Sequence, residues 1–130
     1  MNDAAKNTGS ESTLGEEFAE ALGRQDFDRV FAILDPQIDF RAVTPRRAWE
    51  AADARTVVEE VLRQWFGDSV EIERVVSIET DSFADRQRVA YRFHGRNADG
   101  PFVIEQQAYF SERDGRLGWM RLACSGFRPR

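Results

Sequence analysis

Apolar residues recur along this chain with two different periods, and the change from one to the other divides it into a helical front and an extended back. Leu14, Phe18, Ala21 and Leu22 stand three or four positions apart, the spacing that lines one face of a helix. Thr13 with Glu16 three residues later reads as a capping box at its start, and Gly23 as its stop. Asp26 is placed to cap a second helix whose stripe is Phe27, Val30, Phe31 and Leu34, with Pro36 just past its end. Ile38, Phe40 and Ala42 then alternate with Asp39 and Arg41, predicting a short strand with one wet face. Pro45 interrupts it, and Arg46–Glu50 forms a second short strand or an irregular arm. Asp53 caps a third helix in which Val57, Val58, Val61, Leu62, Trp65 and Phe66 line one side, up to Gly67.

From Val70 onward the period is two. Val70, Ile72, Val76 and Ile78 lie opposite Glu71, Glu73 and Glu79. Three extended runs follow, Arg86–Arg96, Pro101–Glu112 and Arg116–Phe127. They are joined at Asp99-Gly100 and Asp114-Gly115, which supply the positive-φ positions of tight hairpins, so an antiparallel meander is expected. Val89, Tyr91 and Phe93 share one face of the first run, with Arg86, Arg88, Arg92, His94 and Arg96 on the other. In the second run Phe102, Ile104, Gln106, Ala108 and Phe110 oppose Val103, Glu105, Gln107 and Tyr109. In the third, Met120, Leu122 and Cys124 oppose Trp119, Arg121 and Ala123. A slip of one residue would exchange these sets.

The chain has 130 residues, of which 42% are apolar, including ten Phe and three Trp. That is enough for one domain over 13–130 with a core needing no disulfide or structural metal. Residues 1–12, rich in Asn, Ser, Thr and Gly, read as a disordered tail. A single Cys excludes an internal disulfide and a Cys-based zinc site, and one His leaves no metal set, so neither metal nor cofactor is expected. The net charge of −5 argues against a nucleic-acid partner. No run approaches the ~20 apolar residues that span a bilayer, and no apolar leader opens the chain, so no membrane partner and a cytoplasmic location are expected.

This order of elements resembles the nuclear transport factor 2-like superfamily, in particular its bacterial SnoaL-like branch. The resemblance rests on Gln25-Asp26-Phe27 between the first two helices, the strand Ile38–Val43, Gly100-Pro101-Phe102, the run Glu105–Phe110, and Asp114-Gly115-Arg116-Leu117, and it spans roughly 13–127. It implies an α+β cone, a curved antiparallel sheet wrapped around three N-terminal helices with a pocket at the wide end. The superfamily holds isomerases, cyclases, dehydratases, epoxide hydrolases and binders, so the resemblance leaves the activity open. Ketosteroid-isomerase-like members carry a tyrosine donor and an aspartate base where this chain has Phe18 and Ala42. Their partner acid falls near Gln106. Scytalone-dehydratase-like sites pair histidines, and this chain has only His94. Limonene-epoxide-hydrolase-like sites need a pair of inward aspartates, and the alternation provides none.

The set expected to line the pocket is Phe18, Phe40, Trp49, Trp65, Tyr91, Gln106, Met120 and Cys124. Gln106 is the most suggestive, because a primary amide buried unpaired on an apolar strand costs about 1–3 kcal/mol. It either meets a partner such as Tyr91 or orients a ligand. Cys124 lacks an activating base on its face and reads as a small hydrophobe. His94, among arginines that disfavour its protonation, is expected to face water. The arginine row should pair across strands with Glu71, Glu73, Glu79 and Glu105. Arg46, Arg47 or Glu50 in the irregular arm could swing over the pocket and supply charge. Arg88, Tyr109, Trp119 and Arg121 give the outer sheet face a mixture suited to a homodimer contact. The expected function is binding of a small, mostly apolar molecule. The alternatives are a SnoaL-type isomerase, hydratase or cyclase acting on a hydrophobic metabolite, and a dimerisation scaffold without ligand.

Overall fold

A computed structural model describes residues 13–130, and the expected tail at 1–12 lies outside them. Helix α1 (Leu14–Gly23) begins with the capping box: Glu16 N–H donates to Thr13 Oγ1 at 3.1 Å, and Thr13 N–H donates to Glu16 Oε1 at 2.9 Å. Helix α2 (Phe27–Ile33) is capped by Asp26, which accepts from Arg29 N–H at 3.0 Å. Its buried stripe is Phe27, Val30 and Ile33, whereas Phe31 is 46% exposed. Leu34 is not helical, because strand β1 (Leu34–Thr44) starts there without an intervening loop. Pro36 therefore lies inside a strand. It is tolerated because the pairing of β1 with its neighbour is irregular between Leu34 and Asp39, where no ladder bond is required of it.

The third helical segment starts behind the Asp53 cap, where Thr56 N–H donates to Asp53 Oδ1 at 2.8 Å. It comprises α3 (Ala54–Thr56), a π-helical stretch (Val57–Leu62) and α4 (Arg63–Phe66). Its apolar pairs recur every four residues, more than the ~3.6 of an α-helix, and the wider π turn absorbs the excess. Val57, Val58, Val61, Leu62, Trp65 and Phe66 are all buried as a result. Gln25, in a left-handed conformation (φ 57°) between α1 and α2, ties the front of the chain to the back. Its amide donates to Phe66 O at 2.7 Å and Val70 O at 2.9 Å, and accepts from Ile72 N–H at 2.9 Å.

Seven strands form one curved sheet that does not close. Strands β2 (Arg47–Ala51), β3 (Glu71–Phe83), β4 (Arg86–Asn97), β5 (Gly100–Arg113) and β6 (Arg116–Cys124) join β1 in the order β2-β1-β6-β5-β4-β3, and β7 (Arg128–Pro129) pairs with β5. The expected meander is present as β3 to β6. The sheet as a whole is mixed, not purely antiparallel, because β1 runs parallel to β6. Alternation reports which face a side chain takes but not which way its strand runs. The Asp114-Gly115 turn places both residues at positive φ (52° and 78°), while in the other hairpin Gly100 takes φ 108°. The turn at Ala84-Asp85 carries no Gly, and Ala84 takes φ 54°. In β3 the register shifts between Ile72 and Arg74 and again between Val75 and Ser77. The second shift leaves Val76 opposite no residue of β4 and aligns Val75 with Phe93.

The inner face of the sheet packs on the helices. Val89, Tyr91, Phe93, Phe102, Ile104, Gln106, Ala108, Phe110, Met120 and Leu122 are at most 3% exposed, so the expected orientation of the meander holds. Glu105 and Gln107 face solvent and Tyr109 is half-buried. No helix among the described residues is long and apolar enough to cross a membrane.

Candidate functional site

The cone has two ends. Leu34 of β1 lies beside Leu117 of β6 at one, and Val43 lies beside Ala123 at the other. At the second end the chain leaves β6 through Ser125, Gly126 and Phe127 and turns back as β7. A cleft of about 410 Å³ opens there. Trp49, Trp65, Ile104 and Phe127 supply its apolar walls, and Thr44, Arg46, Cys124, Ser125 and Arg128 its polar ones. The two indoles meet edge to face at 5.7 Å, and Phe127 sets its edge against Phe66 at 6.0 Å and Phe102 at 4.7 Å. Trp49 is fixed by a bond from Nε1 to Thr44 Oγ1 at 2.9 Å, and the Arg47 guanidinium lies 3.5 Å above its ring.

Two backbone features shape the lip. Arg46 holds φ at 74° in the turn between β1 and β2, the third position of a Pro-led turn that ordinarily favours glycine. Gly126 holds φ at 80°, and a Cβ on it would lie 2.7 Å from Pro45 Cγ, so only glycine lets the β6–β7 connection approach the β1–β2 turn. Gly126 N–H donates to Cys124 Sγ at 3.3 Å. Cys124 is thus half-buried in the cleft wall, not sealed in the core as a small hydrophobe.

Of the eight residues expected to line a pocket, the fold brings Trp49, Trp65 and Cys124 to this cleft. Tyr91 and Gln106 sit behind it on the inner face, where register places Gln106 beside both Cys124 and Tyr91. The Tyr91 hydroxyl donates to Gln106 Oε1 at 2.5 Å. Burial, with Cys124 close by, pushes the Tyr91 phenol well above its ordinary value, so it stays protonated with its proton committed to Gln106. Phe18, Phe40 and Met120 are wholly inaccessible and line no part of the cleft. They are packed in the core. Ala42, too, is buried core. The residues missed at the cleft were Ile104 and the connections Thr44-Pro45 and Ser125 to Arg128. Their signal was the Pro and Gly punctuation at the end of each strand, which marks chain turning over a rim.

Two buried polar atoms have no hydrogen-bond partner among the described residues, Trp65 Nε1 and Gln106 Nε2. Both are donors. The cleft lining includes no carboxylate and no histidine. His94 lies half-buried on the other face, not fully in water, and burial together with Arg130, Arg74 and Arg92 lowers its basicity. The arginine row is largely paired: Arg92 with Glu105 and Arg96 with Glu73, both among the expected acids, and Arg88 with Asp81, which was not. Trp119 is held between Arg86 and Arg121, at 4.0 and 4.4 Å.

No protein-family profile matches the sequence, and no curated protein does. Solved structures do. A "putative isomerase" from Rhodopseudomonas palustris matches at 24% identity with a TM-score of 0.68, over 89% of this chain and 91% of that one. A "putative polyketide cyclase" from Xanthomonas campestris matches at 20% identity and 0.66, over 85% and 86%. A protein of ketosteroid isomerase-like fold from Catenulispora acidiphila, in complex with trimethylamine, matches at 15% identity and 0.66, over 92% and 88%. At these identities the likeness is one of fold, and it extends over nearly the whole of each chain: the protein has the nuclear transport factor 2-like fold.

Proposed function

We propose that this domain binds a small, largely apolar molecule in the cleft between Trp49, Trp65, Ile104 and Phe127. The observation that carries the reading is an aromatic-walled cleft whose wall includes Trp65, with its indole N–H buried and unpartnered. Clefts of a few hundred Å³ with apolar walls and few polar groups are the usual form of small-molecule sites. The groups on its surface bind and orient but supply no general base, and the one nearby phenol is already spoken for. This favours a binding domain over the isomerase or cyclase that the names of its structural neighbours bring to mind. Native mass spectrometry of freshly purified protein tests it. A co-purifying molecule of a few hundred daltons that Trp65→Leu releases is expected. Bare protein that also gives no tryptophan fluorescence change with a panel of apolar small molecules overturns the reading in favour of a scaffold.

The outer face suits a second copy of the chain. A groove of about 440 Å³ there is lined by Tyr109, Val43, Arg41, Arg121 and Glu50 among others, so two copies related by a half-turn can set cations against carboxylates. Arg88, Tyr109, Trp119 and Arg121 would lie in that contact. Light scattering should give a dimer mass that Tyr109→Glu halves, and a monomer for the unaltered chain removes the proposal.

A further inference from the structure

We infer that the occupant of the cleft is an organic anion, a flat apolar body carrying a carboxylate or an equivalent acidic group. The inference rests on the reading of the cleft as a small-molecule site and adds its chemical class. Three features lead to it.

The first is the character of the polar groups. Arg46 and Arg128 line the cleft, Arg47 lies over the outer ring of Trp49, and no acidic side chain is in the lining. Neither Arg46 nor Arg128 forms an ion pair with any described carboxylate. Glu105 of β5 is held by Arg92 on the outer face and shares a neighbouring groove there with Arg128, but it is not in the cleft lining. Two exposed guanidinium groups beside aromatic walls, with no acid in the lining, favour an anion over a cation.

The second is the orphaned donor. Trp65 is 7% exposed, lines the cleft, and leaves Nε1–H without an acceptor. An indole nitrogen can only donate, so what satisfies it must carry an acceptor oxygen or nitrogen. Thr44 Oγ1 accepts from Trp49 and Ser125 Oγ from Glu105 N–H, and neither hydroxyl is within hydrogen-bond reach of Trp65 Nε1. Among the described residues, the cleft thus presents one unmet donor and two arginines without an ion pair.

The third is the backbone at Arg46. A non-glycine residue at φ 74° is uncommon, and strain of this kind persists where the surroundings hold it in place. Here it carries a guanidinium-bearing side chain over the cleft from a position where glycine would be the easier choice. The same turn would fold with glycine, but the cation would be lost.

The test compares three probes with one body: 2-naphthoate, 2-naphthalenemethanol and 2-naphthylmethylammonium. Affinities are taken from calorimetry, and the site of binding from the Trp65 indole N–H resonance, assigned with Trp65→Phe. The naphthoate should bind at least tenfold tighter than the alcohol and the ammonium probe weakest of all. The Arg46→Gln/Arg128→Gln variant should bring naphthoate down to the affinity of the alcohol while leaving the alcohol unchanged. Both positions are exposed, so folding should be unaltered, which circular dichroism checks. Equal binding of the three probes, or a naphthoate preference that survives the double variant, overturns the assignment of an anion while leaving the site. Failure of all three to move the Trp65 resonance overturns the site itself.

Discussion

At the end of the sheet where Leu34 meets Leu117, the interior is solid. Phe18, Val89, Phe110 and Leu117 are at most 1% exposed, and α1 comes so near that a Cβ on Gly15 would lie 2.9 Å from the Phe110 ring. At the end where Val43 meets Ala123, the same strands are rimmed by turns: Trp49 and Cys124 are half-buried and Phe127 is 39% exposed. Polar groups follow the same division. At the packed end Asp35 is fully engaged, accepting from Arg113 Nε and Nη2 at 3.1 and 2.9 Å and from Gln37 N–H at 2.8 Å. Toward the open end, Trp65 Nε1 and Gln106 Nε2 are left without partners. One end is fully packed and satisfied, and the other keeps unspent hydrogen-bonding capacity, as the proposed binding site requires.

Substitution energies should expose the contrast. Phe18→Ala is expected to cost about 3–5 kcal/mol in urea unfolding, as for other fully enclosed aromatics. Trp49→Ala at the rim, although it removes a larger side chain, should cost only about 1–2 kcal/mol, because part of its surface is already in water. Equal losses would erase the distinction between the two ends. Gln25→Ala should lose about 2–3 kcal/mol, since it strands two carbonyls and one N–H that join the helices to β3.

The Tyr91–Gln106 pair can be placed on one side of the division or the other. Either Tyr91→Phe or Gln106→Leu alone should cost about 1–2 kcal/mol, and the two together less than their sum, if the pair is structural. Gln106→Leu should also leave affinity for a cleft ligand unchanged. A loss of affinity would extend the site inward past Cys124.

The smallest effect is a matter of pH. The Arg113 bonds, then the Gln37 N–H, lower the Asp35 carboxyl from 3.8 to about 2. The unfolded chain therefore binds that proton more readily. The stabilisation is complete above about pH 4 and fades as pH falls through about 2. Asp35→Asn should flatten that part of the acid limb in a denaturation series and leave ligand binding at the open end untouched.

Much of this architecture could be read from the chain alone. The caps at Thr13, Asp26 and Asp53, the Asp114-Gly115 turn and the inward set of β4 to β6 all follow from local rules, and each holds in three dimensions. The start of β1 at Leu34 could not be read, because helix passes into strand there with no residue between them, and Pro36, two positions on, reads as the end of a helix and not as part of a strand. The pairing of β1 with β6 joins segments some eighty positions apart, and no local pattern encodes it. The site was half legible. Alternation put Tyr91 and Gln106 inward and composition flagged the tryptophans, but how deeply helices fill a cone depends on how Phe18, Phe40 and Met120 pack together. The three are wholly buried, and the cleft lies at the rim.

The unclosed sheet has a consequence at its far margin. β3 is a thirteen-residue border strand with one flank unpaired, the kind of surface on which a stray chain can add itself and begin a fibril. Its two breaks in register, with Glu71, Glu73, Arg74, Glu79 and Asp81 facing water, deny an incoming segment a straight and neutral track. By the general rule for free borders, the bulge at Val76 and these charges make β3 a poor template for another chain.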